Sequence, residues 1–481
     1  MTGLMGTDNK TSITKYQQVK HFIVNGIESG VFQHGDKLPS IRQLGIELSV
    51  SKNTVIRAYQ ELEAQEWISA VPKSGYVVQS QTAQVTQAIA PKHVDLLGIC
   101  KEFLSYPNHK ERLPCGSAHP NIDAPAITSL YAEIGRHARM QPHIASHYQL
   151  PPGDDLLIKQ LAKITQDTGT NASLSDVFIT HGAQQAISLA LRATTKPGDI
   201  VAVESPCYFG NLLLLESLGL KAIEVPSCPR DGMYPEALKE AIKQWDVKAI
   251  VVTPNFTNPT GALMPVAHRE KLLTYSGEIP IIEDDVFGGL SYQAPLPSLY
   301  SLDDKRRVIY VNSLSKNLDS RLRLGWVLPG KYHHQIEQGL LCDHMGSLNL
   351  MQSAVAAFLS SGKYKTHTSK MIRLYQGNVR RFLALFQQSM DTRNLRHQYR
   401  VYPVHGSYLL WFELPQHVDC YQVYQQCKSQ KLSILPGSVF ATQNQFNHCF
   451  RISVANFSAD TDWQPALNLL VEILQEHIER P

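Results

Sequence analysis

The stretch NSLSKNLDSRLRLGW, residues 312–326, follows an apolar run at 308–312 with two serines, a lysine and, further on, an arginine. The run reads as a buried strand. Ser313, Ser315 and Arg323 then stand around Lys316 as groups able to hold a phosphate. A lone lysine in a polar loop is usually only solvated, so its weight depends on its surroundings. On either side, apolar strand candidates at 177–180, 200–204, 222–225, 249–253 and 279–283 alternate with helical stretches such as 184–194 and Pro235–Gln244. That alternation predicts a mostly parallel α/β sheet with helices on both faces. Ligands of such sheets bind beyond the carboxyl ends of the strands.

Three further motifs fall at such ends. ITHGAQQAISLALRA (179–193) runs strand, turn, helix, so Gly182, Ala183 and Gln184 can present free backbone N–H groups to an anion. IIEDDVFGGL (281–290) ends a strand in Glu283, Asp284 and Asp285, and NPTG (258–261) follows another. Singly these are a common βα turn, a structural acid and a plain turn. Together, a lysine, a buried aspartate, an asparagine and a phosphate cup meet the needs of pyridoxal 5′-phosphate. The lysine amine bonds the aldehyde, a carboxylate keeps the ring nitrogen protonated, and an aromatic residue covers the ring.

The 481 residues exceed one ordinary domain, since about 150 residues per domain suggests about three, or two if one is large. With 43% hydrophobic and 18% charged residues, global disorder, collagen and coiled coil are excluded. No apolar run nears the ~18 residues of a membrane helix, and MTGLMGTDNK lacks the features of a signal peptide. A cytoplasmic protein without a membrane partner is expected. Net charge is +3, so any basic surface must be local. Eight cysteines without a C-x-x-C pair predict reduced thiols and no metal.

Residues 80–92, SQTAQVTQAIAPK, carry no apolar period and read as the start of a linker, taken as 80–110, between a unit at 12–79 and a body at 111–481. In the first unit, Tyr16, Val19, Ile23 and Ile27 recur at helical spacing up to Gly30. Ser40 can cap a second helix with Ile41, Leu44 and Leu48 inward, and Ser51 a third with Val55, Tyr59 and Leu62 inward. Two short strands, 67–71 and 76–79, complete a winged helix-turn-helix. Its third helix would offer Lys52, Asn53, Thr54 and Arg57 to the major groove of double-stranded DNA. Ser40, Arg42, Ser51 and, on the wing, Lys73 suit the phosphate backbone. Eight basic against seven acidic residues in 1–80 add nothing to that reading.

GDKLPSIRQLGIELSVSKNTVIRAYQELEAQEWI (35–68) resembles the GntR-type winged helix. Gly45 and Lys52 depart from the alanine and arginine usual there, and the second exchanges a planar fork for a point charge. The region from about Leu113 onward resembles the fold-type I aminotransferases, with a smaller C-terminal α+β part at about 340–481. The resemblance implies that Lys316 is the Schiff-base lysine, Asp284 the ring-nitrogen partner, Asn258 the donor to the ring oxygen and Tyr208 the stacking aromatic. It implies that Tyr148 reaches the phosphate of a second subunit and that Arg451 grips a substrate carboxylate; a strand arginine paired to a structural acid is the alternative for Arg451. It also suggests a cis Asn258–Pro259 bond. Phe287 stands where that family has a tyrosine and Arg321 where it has a glycine. In the last part, 408–413, 431–435 and 449–454 read as strands, and Leu467, Leu470, Val471, Leu474 and Ile478 as the core face of a terminal helix.

Both halves together resemble the MocR-type subfamily of GntR regulators. What this implies is a homodimeric DNA-binding transcriptional regulator that senses pyridoxal 5′-phosphate, an amino compound, or both, through an aldimine at Lys316. The alternative is a working aminotransferase with a fused DNA-binding domain.

Overall fold

The computed structural model describes residues 14–28, 32, 36–48, 50–65, 67–71, 75–78, 88, 90–93, 101, 112–140, 147–457 and 463–480. The chain divides into two compact units, residues 1–84 and 85–481.

In the first unit, helices Lys15–Glu28, Ile41–Glu47 and Lys52–Ala64 enclose a small core of Val19, Ile23, Leu44, Val55, Tyr59 and Leu62. The two serines act as expected from their β-region backbone: Ser40 Oγ accepts the N–H of Gln43 and Ser51 Oγ that of Thr54, both at 3.2 Å. Strands Ile68–Val71 and Gly75–Val78 pair antiparallel, and the hydroxyl of Tyr59 donates to the Pro39 carbonyl at 2.8 Å, tying the third helix to the start of the second.

The second unit is built on a nine-stranded mixed sheet. Ile200–Ser205, Lys221–Cys228, Val247–Val252, Ile281–Asp284 and Val308–Ser313 are parallel neighbours, so their carboxyl ends share one edge. Gly325–Leu328 then runs antiparallel between Val308–Ser313 and Phe178–Thr180. This strand, formed by the end of the lysine motif itself, was not among the expected ones. The loop 314–324 is thereby a tight excursion between two adjacent strands, which fixes Lys316 and Arg323 over the sheet edge. The expected linker needs one correction: Lys92–His93 form an edge strand against Lys221 and Ala222, so this part of it belongs to the second unit.

The C-terminal part packs a four-stranded antiparallel sheet, with Leu409–Glu413 and Cys449–Ser453 at its centre, on Lys363–Thr392 and Gln464–Ile478. The stripe Leu467, Leu470, Val471, Leu474 and Ile478 is core. The single strand expected at 431–435 is two pieces. Leu432–Ser433 pair with Leu113–Pro114, and Leu435–Pro436 pair with Cys449–Ser453.

Removing the Ser51 cap should cost about 1 kcal/mol. Ser51→Ala is expected to lower the unfolding transition of the first unit in calorimetry and leave that of the second unchanged.

Candidate cofactor site

A cavity of about 320 Å³ opens at the carboxyl edge of the large sheet. It is lined, among others, by Tyr208, Asn258, Asp284, Phe287, Ser313, Ser315, Lys316 and Arg323, together with Ala183 and Gln184 at the start of the helix Ala183–Thr194. Residues spread over more than a hundred positions thus meet because each follows a strand of one sheet.

The phosphate-sized end is shaped by Gly182. Its φ of +82° suits glycine, and a Cβ there would lie 2.7 Å from Nη2 of Arg323. No side chain caps that helix, so its first N–H groups are free for an anion. Gly325 packs on the same turn, where a Cβ would lie 2.6 Å from the Gly182 carbonyl carbon. Arg323 is itself held in the left-handed region, φ +51°. The Ser313 hydroxyl bonds that of Ser315 at 2.8 Å and the Leu324 carbonyl at 2.9 Å, closing the loop on itself.

At the other end, Asp284 is buried and takes a single backbone donor, the N–H of Val286 at 3.2 Å. Burial, reinforced by Asp285, pushes its carboxyl up to about 7. Burial, with the charges of Arg451 and Arg323 added, lowers the Lys316 amine to about 8 against the opposing pull of Asp284. Lys316 Nζ donates to the Ala118 carbonyl at 2.9 Å and lies 5.7 Å from the Phe287 ring centre. Phe287 is buried edge-on against Tyr408, centroids 5.6 Å apart, and brings no hydroxyl to the site. Arg451 donates from Nη1 to Oδ1 of Asn258 at 2.9 Å and from Nη2 to the Gly116 carbonyl, while its Nε is buried without a partner. Among the described residues no acid pairs with it, and Asn258–Pro259 is cis.

Two residues singled out in the sequence do not line this cavity. Tyr148 is 73% exposed and does not line the cavity of its own chain. Arg321 turns away from the site onto Asp319, where it donates from N, Nε and Nη2, so its charge is neutralised locally. His119 and Thr253, which line the cavity, were not foreseen. Nor was the network beneath it, in which Asn255 and Tyr310 donate to Asp285 at 2.7 and 2.6 Å. In the first unit, Lys52, Asn53, Arg42 and Ser40 are exposed, and Arg57 stacks on the Tyr16 ring at 4.3 Å. The hydroxyls of Ser51 and Thr54 bond each other at 2.8 Å. Lys73 lies outside the described residues.

Residues 15–78 match the bacterial regulatory proteins of the gntR family, and residues 132–463 match the aminotransferase class I and II family. An uncharacterized HTH-type transcriptional regulator of Escherichia coli (strain K12), YjiR, is 33% identical over 97% of this chain and 100% of its own. The chain belongs to the MocR-type subfamily of GntR regulators. The probable rhizopine catabolism regulatory protein MocR of Rhizobium meliloti is 27% identical, over 80% of this chain and 79% of its own. Kynurenine aminotransferase of Pyrococcus horikoshii shares the fold of the body, with a TM-score of 0.71 at 24% identity over 79% of this chain and 95% of that one. The regulator therefore carries a DNA-binding domain, and its cofactor is pyridoxal 5′-phosphate. The residues present fit that group: a glycine-floored anion cup with an arginine, a buried acid facing the cavity and an amine of lowered basicity. Among the described residues no helix is long and apolar enough to cross a membrane.

Two outcomes test this geometry. Gly182→Ala, which sets a methyl group against Arg323 in a disfavoured backbone region, should weaken pyridoxal-phosphate binding by about tenfold or more in an absorbance titration. Covalent capture needs the neutral amine, so its rate should rise with pH and level off above about 8. For an ordinary solvated lysine the rise would continue toward about 10.

Proposed function

We propose that the regulator senses an amino compound at the cofactor site and passes the signal to its DNA-reading domain. In this reading Lys316 captures the cofactor aldehyde, Asp284 pairs with the ring nitrogen, Asn258 donates to the ring oxygen and Tyr208 covers the ring. Gly182, Ala183 and Gln184, through their backbone N–H groups, hold the phosphate with Ser313, Ser315 and Arg323. Phe287 contributes packing only. Arg451 receives a carboxylate. When bound, the cofactor supplies an electrophilic carbon and an electron-withdrawing ring. The protein supplies placement and charge.

The observation that carries the reading is where Lys316 and Arg451 rest. Lys316 Nζ holds the carbonyl of Ala118, and Arg451 Nη2 that of Gly116. Both carbonyls lie between the strand Leu113–Pro114 and the helix Pro125–Arg139 of the second unit. A ligand that takes the amine and the guanidinium must compete for both bonds. Occupancy of the site and placement of 116–118 are then one equilibrium, which a ligand can shift only by binding one arrangement better.

Tyr148, with Leu150, Met345 and Leu348, forms an exposed apolar group, and a bridge between Gln149 and Ser347 holds the two segments together. A second copy covering this surface would bring its own Tyr148 toward the phosphate, and a dimer would present two readers to paired DNA half-sites. On the reader, Lys52 and Asn53 meet base edges with Thr54 and Arg57, while Ser40, Arg42, Ser51 and Lys73 meet phosphates.

A working aminotransferase is the second reading, favoured by the presence of Lys316, Asp284, Asn258 and Arg323 in one cavity with Arg451 beside it. The missing hydroxyl at Phe287 weighs against it by about 1 kcal/mol, or about fivefold in rate.

Lys316→Ala decides for or against the sensor. The variant should bind DNA as the cofactor-free protein does and lose any change in DNA affinity on adding pyridoxal phosphate and an amino compound. A normal response in Lys316→Ala would rule out sensing through this lysine.

A further inference from the structure

We infer that His119 makes the regulator selective for amino acids carrying a second acidic group. The inference rests on the sensor reading and narrows it to a class of effector.

Among the lining residues of the cavity, Asp284 is the only acid, facing Lys316 and Arg323, with Arg451 at the wall through Asn258. The cofactor and the α-carboxylate of an amino acid would account for each of these. Arg323 faces the phosphate, Asp284 the ring nitrogen, Lys316 the aldehyde and Arg451 the carboxylate. His119, which also lines the cavity, is left over. Three cations, Lys316, Arg451 and Arg323, act on its imidazole, with one anion, Asp319. That anion is already committed. Asp319 accepts four bonds from Arg321 at 2.6 to 3.1 Å, and the hydroxyl of Tyr131 at 3.1 Å.

Partial burial, and after it the charges of Lys316 and Arg451, hold the imidazole below its usual range. A ligand bringing a second anion supplies the missing charge and favours the protonated ring, which donates a charge-assisted hydrogen bond. His119 is also well placed to select. Its segment is pinned, without help from Lys316, by the Tyr408 hydroxyl on the Ala118 carbonyl at 3.2 Å and by the N–H of Asn121 on the Tyr375 hydroxyl at 3.0 Å. His119 is three positions along the chain from Gly116, whose carbonyl Arg451 holds, a span of at most about 10 Å of extended chain. Two acidic groups separated by a short carbon chain fit that interval.

The test compares isosteric pairs, L-glutamate with L-glutamine and L-aspartate with L-asparagine, titrated into the pyridoxal-phosphate-loaded full chain and followed by the absorbance of the bound cofactor. A charge-assisted bond should make the acidic member bind about tenfold more tightly. His119→Gln should bring the ratio to within about threefold of unity, and His119→Lys, which keeps a cation there, should retain the preference. A ratio near unity in the unmodified protein, or an unchanged ratio in His119→Gln, overturns the assignment. So does loss of cofactor capture in His119→Gln, which would make this a cofactor ligand. If the neutral members also fail to perturb the cofactor, the amino-compound reading itself falls; if they bind without discrimination, only the role of His119 does.

Discussion

Three carboxyl groups, Glu283, Asp284 and Asp285, are buried in succession where the strand Ile281–Asp284 ends, and the site follows from how each is stabilised. Burial raises all three above the ordinary carboxylate range. Glu283 accepts the N–H groups of Leu299 and Tyr300, both at 2.9 Å. Asp285 takes Asn255 and Tyr310, and the buried Arg269 supports Asn255 with a 2.6 Å bond. The pleat turns Asp284 the other way, into the cavity, with one backbone donor. A buried acid so poorly supplied calls for a cation, and a protonated pyridine ring meets that need.

Around this acid the site keeps its reactive cations occupied. Lys316 and Arg451 rest on the carbonyls of Ala118 and Gly116, and Arg451 also holds Asn258. Hydrogen bonds of this kind are individually modest because each replaces one to another partner. Exchanging them for ligand bonds is therefore near balance, which suits a reversible switch better than a rigid catalytic site. Phe287 fits the same picture, since it fills space beside Lys316 without adding a proton donor.

Much of this was legible in the chain. Continuous apolar runs gave the sheet strands and period-3.6 patterns the three helices of the first unit, and caps at Ser40 and Ser51 were readable because capping is local chemistry. The motifs around Lys316, Asp284 and Asn258 were legible as a set because a doubly wound sheet brings strand ends together. What escaped depends on long-range packing. Gly325–Leu328 was hidden because it is short and lies inside a motif read for its chemistry. Lys92–His93 sits in a polar stretch that pairs only because an edge strand is available. His119 belongs to a segment without any period, placed by contacts with Lys316, Tyr375 and Tyr408 far along the chain.

The account turns on one coupling, between the contents of the cavity and the reading of DNA. Its most direct measure is the affinity for DNA upstream of the protein's own gene, at one fixed salt concentration, for the protein without cofactor, with pyridoxal phosphate, and with pyridoxal phosphate plus L-glutamate. The account predicts an affinity that changes several-fold, or a footprint that changes, between these states. Specific binding that is the same in all three would contradict it.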